Sequence, residues 1–80
     1  MFEIRYQKHS VVMSEDKENW NQVLEFVNFL DEYGLAYVYE IRYAGNPYYR
    51  RQLEHESGSD YWLNHLGKRV DLAEEYWETV

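Results

Sequence analysis

The 80-residue chain contains no cysteine, a single proline and only four glycines. Without cysteine it has no disulfide bond and no thiolate metal site, and with so few glycines it has no glycine-rich loop to cradle a phosphate. No stretch approaches the about 18 consecutive apolar residues that a membrane-spanning helix needs, and no apolar run follows the N-terminal residues to form a signal peptide. We therefore expect a cytoplasmic protein that binds no cofactor and no membrane.

Basic residues are scarce as well. Eight lysine and arginine residues stand against 15 aspartate and glutamate residues, so the formal net charge is -7. A field of this sign opposes docking on nucleic acid or on anionic lipid. Aromatic residues, by contrast, make up 19% of the chain, and tyrosine and tryptophan suit both a small core and a binding surface. A chain of this length is expected to form a single domain, residues 1–80.

The alternation of apolar and polar residues predicts two strands in the first half of the chain, over residues 2–8 and 35–43. Residues 9–13 either extend the first strand or fold back as a short second strand. Residues 2–6 and 39–43 differ only at their first position. With a helix between them, the two strands are predicted to lie parallel, as a β-α-β unit whose glutamates and arginines pair across the strands.

Between these strands the sequence predicts one long helix, over residues 14–33. Ser14 and the acids after it suit a helix start, and Gly34 suits the position just past a helix end. The apolar side of this helix is wider than one sheet face needs, and its extra edge consists of Phe26, Phe29 and Tyr33. Either C-terminal helices cover that edge, or it is a surface for a partner or a second copy.

The second half of the chain is predicted to be mainly helical. Residues 48–56 form either a helix, which we favour, or a third strand, and residues 57–59 form a loop. A short helix over residues 60–66 follows, and Asp71 with Glu74 resembles the capping box of a final helix. The fold class predicted is α+β: a small sheet with a β-α-β start, covered by one long helix, with a mainly helical C-terminal half.

Carboxylates form two groups on these predicted helices. On the final helix four of them share one arc, opposite an apolar side that includes Trp77. On the long helix three glutamates spaced seven residues apart form a second acidic line. The candidate partner-binding residues are Asp71, Glu74, Glu75, Glu78, Trp77, Glu18, Glu25 and Glu32.

Other chemistry finds little support in the sequence. No nucleophile lies beside a base, so we expect no enzymatic activity. His55 and His65 with a neighbouring carboxylate are a set that random placement often gives, so no metal site is expected. Residues 48–51 interleave tyrosine and arginine, as in single-strand binding surfaces, but pairing of these arginines with acids of neighbouring helices is the simpler interpretation. Direct binding of nucleic acid is therefore not expected.

What remains is protein binding, in which acids on helices meet a basic surface and aromatic residues supply the anchors. In size, acidity, aromatic content and lack of catalytic motifs, the chain resembles small phage-borne inhibitors of host defence, such as anti-CRISPR and anti-restriction DNA mimics. The resemblance concerns overall character. It implies an inhibitor in the host cytoplasm that blocks a basic, nucleic-acid-binding surface of a partner protein. The alternative is a non-enzymatic structural or assembly protein that acts as a homodimer through Phe26, Phe29 and Tyr33.

Overall fold

The computed structural model describes residues 1–54 and 58–78. The strands within these residues are β1 (Phe2–Lys8), β2 (Val11–Lys17), β3 (Tyr37–Tyr43), β4 (Asn46–Leu53), β5 (Asp60–Asn64) and β6 (Arg69–Val70). They form one sheet in the order β2-β1-β3-β4-β5-β6, and all neighbouring strands are antiparallel. One α-helix, α1 (Trp20–Glu32), connects β2 to β3, and a single 3-10 turn (Leu72–Glu74) follows β6.

The hydrophobic core lies between α1 and one face of the sheet. The helix buries Trp20, Val23, Val27 and Leu30, whose spacing of three and four residues places them on one side. The sheet and the C-terminal segment contribute Phe2, Ile4, Tyr6, Val38, Ile41, Tyr49, Trp62 and Leu72. All of these residues belong to one cluster, which fixes α1 across the middle of the sheet.

Two tight turns set the antiparallel topology. His9 and Ser10 join β1 to β2 with φ angles of 51° and 67°, and Ala44 and Gly45 join β3 to β4 with φ angles of 50° and 82°. Positive φ at both loop residues is the pattern of the type I′ turn, whose twist matches that of a β-hairpin. Residues 9–13 therefore fold back into a second strand, which was one of the two predicted alternatives.

The predicted start of the long helix at Ser14 is wrong. Residues 14–17 pair with β1 as the second half of β2, so their acids lie on a strand rather than in a first helical turn. The helix begins instead at a capping box: Asn19 Oδ1 accepts a hydrogen bond from the Gln22 amide at 2.9 Å, and Gln22 Oε1 accepts one from the Asn19 amide at 3.4 Å. Asparagine is as good an N-cap as serine. Ser14 lies within β2, whereas Asn19 comes after the end of the hairpin and can begin the helix.

The predicted end of the helix is confirmed. Gly34 has a φ of 61°, and its amide donates to the Asp31 carbonyl at 3.3 Å. The Leu35 amide donates to the Leu30 carbonyl at 3.0 Å. These two bonds form a Schellman motif. The motif requires a positive φ at Gly34, and glycine adopts that angle at no steric cost because it has no side chain.

The predicted parallel β-α-β unit is wrong, because β2 reverses the chain before α1 begins. The adjacent β1 and β3 are antiparallel, and Glu3 lies opposite Arg42 while Arg5 lies opposite Glu40. Read in opposite directions, the two similar segments place each glutamate across from an arginine. The cross-strand ion pairs are 3.7 Å between Arg42 Nε and Glu3 Oε1, and 3.8 Å between Arg5 Nη1 and Glu40 Oε2. The similarity thus makes antiparallel strands complementary in charge.

The predicted mainly helical C-terminal half is also wrong. Residues 46–53 and 60–64 form β4 and β5, while His55, Glu56 and Ser57 lie outside the described residues. Asp71 does act as an N-cap, because its Oδ1 accepts from the Ala73 amide at 3.0 Å. However, only one 3-10 turn follows, and Glu75 is already extended. The chain then turns Trp77 back onto the aromatic core, which a continuing helix would prevent.

Candidate protein-binding groove

A groove runs between the edge strand β2 and the facing flank of α1. It is lined by Asp16, Lys17, Glu18, Gln22, Glu25, Phe26 and Phe29. The β1–β2 hairpin supplies one wall and the capped first turns of α1 supply the other. The helix is fixed by the core and β2 by its full-length pairing with β1, so the groove is a preformed feature of the fold.

The strand wall of this groove has a free edge. Among residues 1–54 and 58–78, β2 pairs only with β1, so the amide and carbonyl groups along its other side meet no strand. Its first three residues are apolar and exposed, at 57% for Val11, 64% for Val12 and 43% for Met13. A long, apolar, unpaired edge is a template for pairing with another extended chain.

The helix wall exposes aromatic rings. The rings of Phe29 and Tyr33 lie 5.1 Å apart, and these residues are 50% and 64% exposed. Phe26 is half-buried, with its ring 5.6 Å from that of Tyr6. The prediction that C-terminal helices cover this flank is wrong, because the C-terminal segment lies beside Leu24 on the opposite flank. The helix therefore presents a flank that the described part of the chain leaves uncovered.

The groove carries net negative charge. Its lining holds three carboxylates and one ammonium group. That ammonium group, Lys17 Nζ, is 3.8 Å from Glu15 Oε1 and 5.1 Å from the centre of the Phe26 ring. Because a neighbouring acid already balances Lys17, the carboxylates of the groove face outward without a cation of their own in this part of the structure.

The predicted acidic line on α1 is partly retained. Glu18 precedes the Asn19 N-cap and so lies outside the helix, yet it lines the groove together with Glu25. Glu32 is exposed in the last helical turn, where the negative end of the helix dipole disfavours a carboxylate, and it does not line the groove. The structure thus joins Glu18 and Glu25 to the predicted Phe26 and Phe29 edge, which sequence reasoning treated as separate.

The four C-terminal carboxylates do not share an arc, because the helix that would align them is absent. Asp71 caps the 3-10 turn and Glu74 is exposed beside it. Glu75 is half-buried and accepts a hydrogen bond from the Tyr49 hydroxyl at 2.9 Å. Glu78 lies near the start of α1, beside a small cavity. Partner binding by these acids stays a prediction, but the shared helical arc on which it depended is absent from the structure.

Trp77 is half-buried and packs against the core rather than projecting as a surface anchor. Its ring centre lies 5.0 Å from Phe2 and 4.9 Å from Tyr43, and its Nε1 donates to the Tyr49 hydroxyl at 2.9 Å. Burial raises the pKa of Tyr49 to about 12; the Trp77 N–H acts in the opposite direction, and Glu75 adds to the rise. The chain Trp77–Tyr49–Glu75 fastens the C-terminal segment to β4.

Arg51 bridges α1 to the sheet on the flank away from the groove. Its Nη1 and Nη2 donate to the two Asp31 carboxylate oxygens at 2.9 and 3.1 Å, and its Nε lies 3.4 Å from Asp60 Oδ2. The guanidinium also lies 5.4 Å from the ring centres of both Tyr37 and Trp62. The interpretation that Arg50 and Arg51 pair with acids of neighbouring helices is confirmed for Arg51, whereas Arg50 is exposed.

The groove includes residues that sequence reasoning missed. Asp16 and Gln22 were not singled out, and β2 was left as one of two alternatives. The signal for β2 as a separate strand was the apolar run at residues 11–13, which comes directly after a strand with clear alternation. His65 is exposed with its ring 5.1 Å from Tyr48, and within the described ranges no group of three or more acidic or histidine side chains is placed to hold a metal ion.

Comparisons with known proteins found no similar protein. No protein-family model matches the chain, and neither curated proteins nor solved structures gave a match. None of the helical residues described here forms a segment long and apolar enough to cross a membrane.

Proposed function

We propose that the chain is a small acidic protein-binding module that holds an extended, basic segment of a partner protein along β2. The segment adds a strand to the free edge of the sheet, in the manner of β-augmentation. Its lysine or arginine side chains face the carboxylates of the groove. By covering a basic segment that serves to bind nucleic acid, the module inhibits its partner.

The observation that carries this proposal is the unpaired edge of β2 beside exposed rings and carboxylates. Proteins usually protect a long edge with charges, a proline or a bulge. Residues 11–13 carry none of these, whereas Glu15, Asp16 and Lys17 place charges on the second half of the strand. The backbone edge supplies affinity, Phe29 supplies apolar contact area, and Glu18 with Glu25 selects for positive charge.

Charge favours a basic partner over a second copy of the chain. A homodimer through the same flank would use the exposed Phe29 and Tyr33, and it is the alternative that the apolar edge of β2 supports. Two copies, however, each carry a net charge of -7, so their overall charge opposes association. Like charges across an interface are unfavourable. The more specific role of a phage-type anti-CRISPR or anti-restriction protein stays a prediction from overall character.

The test uses a labelled peptide of alternating lysine and valine, with fluorescence anisotropy as the measure of binding. We expect Glu25→Lys, which reverses a groove charge, to weaken binding about tenfold, because an attraction becomes a repulsion. The matched control is Glu74→Lys, the same charge change at an exposed residue outside the groove. The control should bind as the unmodified chain does.

Two further measurements distinguish a peptide bound along β2 from a second copy of the chain. Backbone amide shifts on peptide binding should concentrate in β2 if the peptide adds a strand there. Equal losses in the Glu25→Lys and Glu74→Lys variants would reduce the binding to non-specific charge attraction and overturn the proposal. A stable dimer in sedimentation equilibrium, with no peptide binding, would replace it by the homodimer.

A further inference from the structure

A small aromatic cavity lies at the start of α1, where the C-terminal segment meets the sheet. It has a volume of about 110 Å³ and is lined by Phe2, Glu18, Asn19, Trp20, Tyr43, Trp77 and Glu78. A cavity of this volume is larger than a single water molecule needs and accommodates a small organic group. Four of its lining residues are aromatic, which is unusual for so small a space.

The rings of the cavity are inclined to one another, most steeply where Phe2 meets Trp77. The ring planes of Phe2 and Trp77 are inclined by 85° at a centroid distance of 5.0 Å, and those of Tyr43 and Trp77 by 57° at 4.9 Å. Trp20 lies 5.4 Å from Phe2 and completes the wall toward the helix. The face of an aromatic ring carries partial negative charge, so rings that form a corner attract a cation placed against them.

The charged groups of the cavity have one sign. Its only charged lining residues are the carboxylates Glu18 and Glu78. The amides of Glu18 and Asn19, which precede the first helical residue, donate to Gln22 Oε1 at 3.0 and 3.4 Å and are not available to a ligand. The two carboxylates of the lining repel an anion and attract a cation.

We propose that this cavity binds a methylated ammonium group, such as the head of a methylated lysine side chain. A trimethylated nitrogen is a compact group of four heavy atoms. Its charge is spread over methyl groups that contact the rings, whereas an unmethylated ammonium group holds its water strongly. The inference does not depend on the peptide groove, although Glu18 borders both sites.

The probe for this site is tetramethylammonium chloride, titrated at constant ionic strength while the indole N–H signals of Trp20 and Trp77 are followed by NMR. The matched neutral probe is tert-butanol, which has similar size and shape but no charge. We expect saturable shifts of these signals with tetramethylammonium and none of comparable size with tert-butanol at equal concentration. Equal shifts with both probes would show an apolar cavity without selectivity for cations and would overturn the proposal.

Two charge-neutralising variants locate the binding. Glu78→Gln, at the cavity, should weaken tetramethylammonium binding by about twofold to fivefold, the range expected for one partly exposed ion pair. Glu32→Gln makes the same charge change in the last turn of α1, outside both the cavity and the groove, and should leave binding unchanged. Equal losses in the two variants would assign the binding to net charge and reject the cavity. Because tetramethylammonium contains no peptide, failure here leaves the proposed function standing.

Discussion

The two flanks of α1 face the same sheet but differ in whether side chains connect the helix to it. Toward β4 and β5, Arg51 ties the helix to the sheet, and the Trp77–Tyr49–Glu75 contacts fasten the C-terminal segment beside it. Toward β2, the described residues form no comparable bridge, and the groove stays open between an unpaired strand and exposed rings. One flank is bridged and the other is open.

This difference separates stability from binding. The bridged flank ends in β6, a strand of only two residues that contains Arg69 and so offers little edge to another chain. The open flank ends in the seven-residue β2, whose hydrogen-bonding groups are available along its length. Substitutions on the bridged flank should therefore change the free energy of unfolding, and those on the open flank should change association.

The largest effect is expected for Arg51→Ala. The substitution removes two charge-assisted hydrogen bonds to Asp31 and the packing of the guanidinium between Tyr37 and Trp62. We expect the free energy of unfolding to fall by about 2–3 kcal/mol, measured by urea denaturation. The neighbouring Arg50→Ala, an exposed site on the same strand, is the matched control and should stay within about 0.5 kcal/mol. Similar losses of unfolding free energy in the two variants would contradict the role of Arg51 in joining α1 to the sheet.

A smaller, pH-dependent effect is expected for Tyr49→Phe. At neutral pH the substitution leaves Glu75 and the Trp77 N–H without their shared partner, which should cost about 1 kcal/mol. Burial raises the pKa of Tyr49 from its usual 10 to about 12 in the folded chain. Between these pH values the unfolded chain loses the phenolic proton first, so the stability of the unmodified chain falls as pH rises from 10 to 12.

The phenylalanine variant lacks this titration. Its stability should therefore fall less than that of the unmodified chain over the same pH range, and the difference between the two should shrink. Urea midpoints of both proteins at several pH values across the range measure this directly. A difference that stays constant with pH would mean that Tyr49 is not held in its protonated form by the fold.

The smallest change in stability is expected on the open flank, for Val12→Lys. Val12 is 64% exposed on an edge strand, so the substitution should alter the free energy of unfolding by no more than about 0.5 kcal/mol. A lysine on this edge should nevertheless weaken binding of the lysine–valine peptide, because it protects the edge and repels the peptide. Val70→Lys, on the other edge strand and packed against the core, should show the reverse: lower stability and unchanged binding.

Local patterns predicted the parts of the fold that depend on local interactions. The strand over residues 2–8 and the helix end at Gly34 are confirmed, because alternation and a positive φ act within a few residues. The start of the helix was wrong because residues 14–17 suit either a helix start or an edge strand, and pairing with β1 decides between them. The turn at His9 and Ser10 carries no Asn-Gly signal, so the hairpin was only one alternative.

The remaining errors come from interactions between distant residues. A register shift between Val38 and Glu40 in the pairing of β3 with β1 lets Val38 and Ile41 both reach the core, which strict alternation does not anticipate. For the site, the helical arc of carboxylates was wrong because Trp77 is drawn into the aromatic cluster. The sequence left open whether the aromatic edge is covered, and only the fold could bring Phe26, Phe29, Glu18 and Glu25 into one groove.

The complementary charges of β1 and β3 also bear on how the chain is made. During synthesis, at about 5–20 residues per second, β1 emerges roughly 2–7 seconds before β3 is complete. Throughout that interval one side of β1 is unpaired, and its Glu-Ile-Arg sequence complements itself when two copies run antiparallel. Neighbouring nascent chains on one messenger RNA can thus pair through β1 before their own β3 arrives. Widely spaced ribosomes, or a chaperone at the tunnel exit, should therefore raise the yield of correctly folded protein.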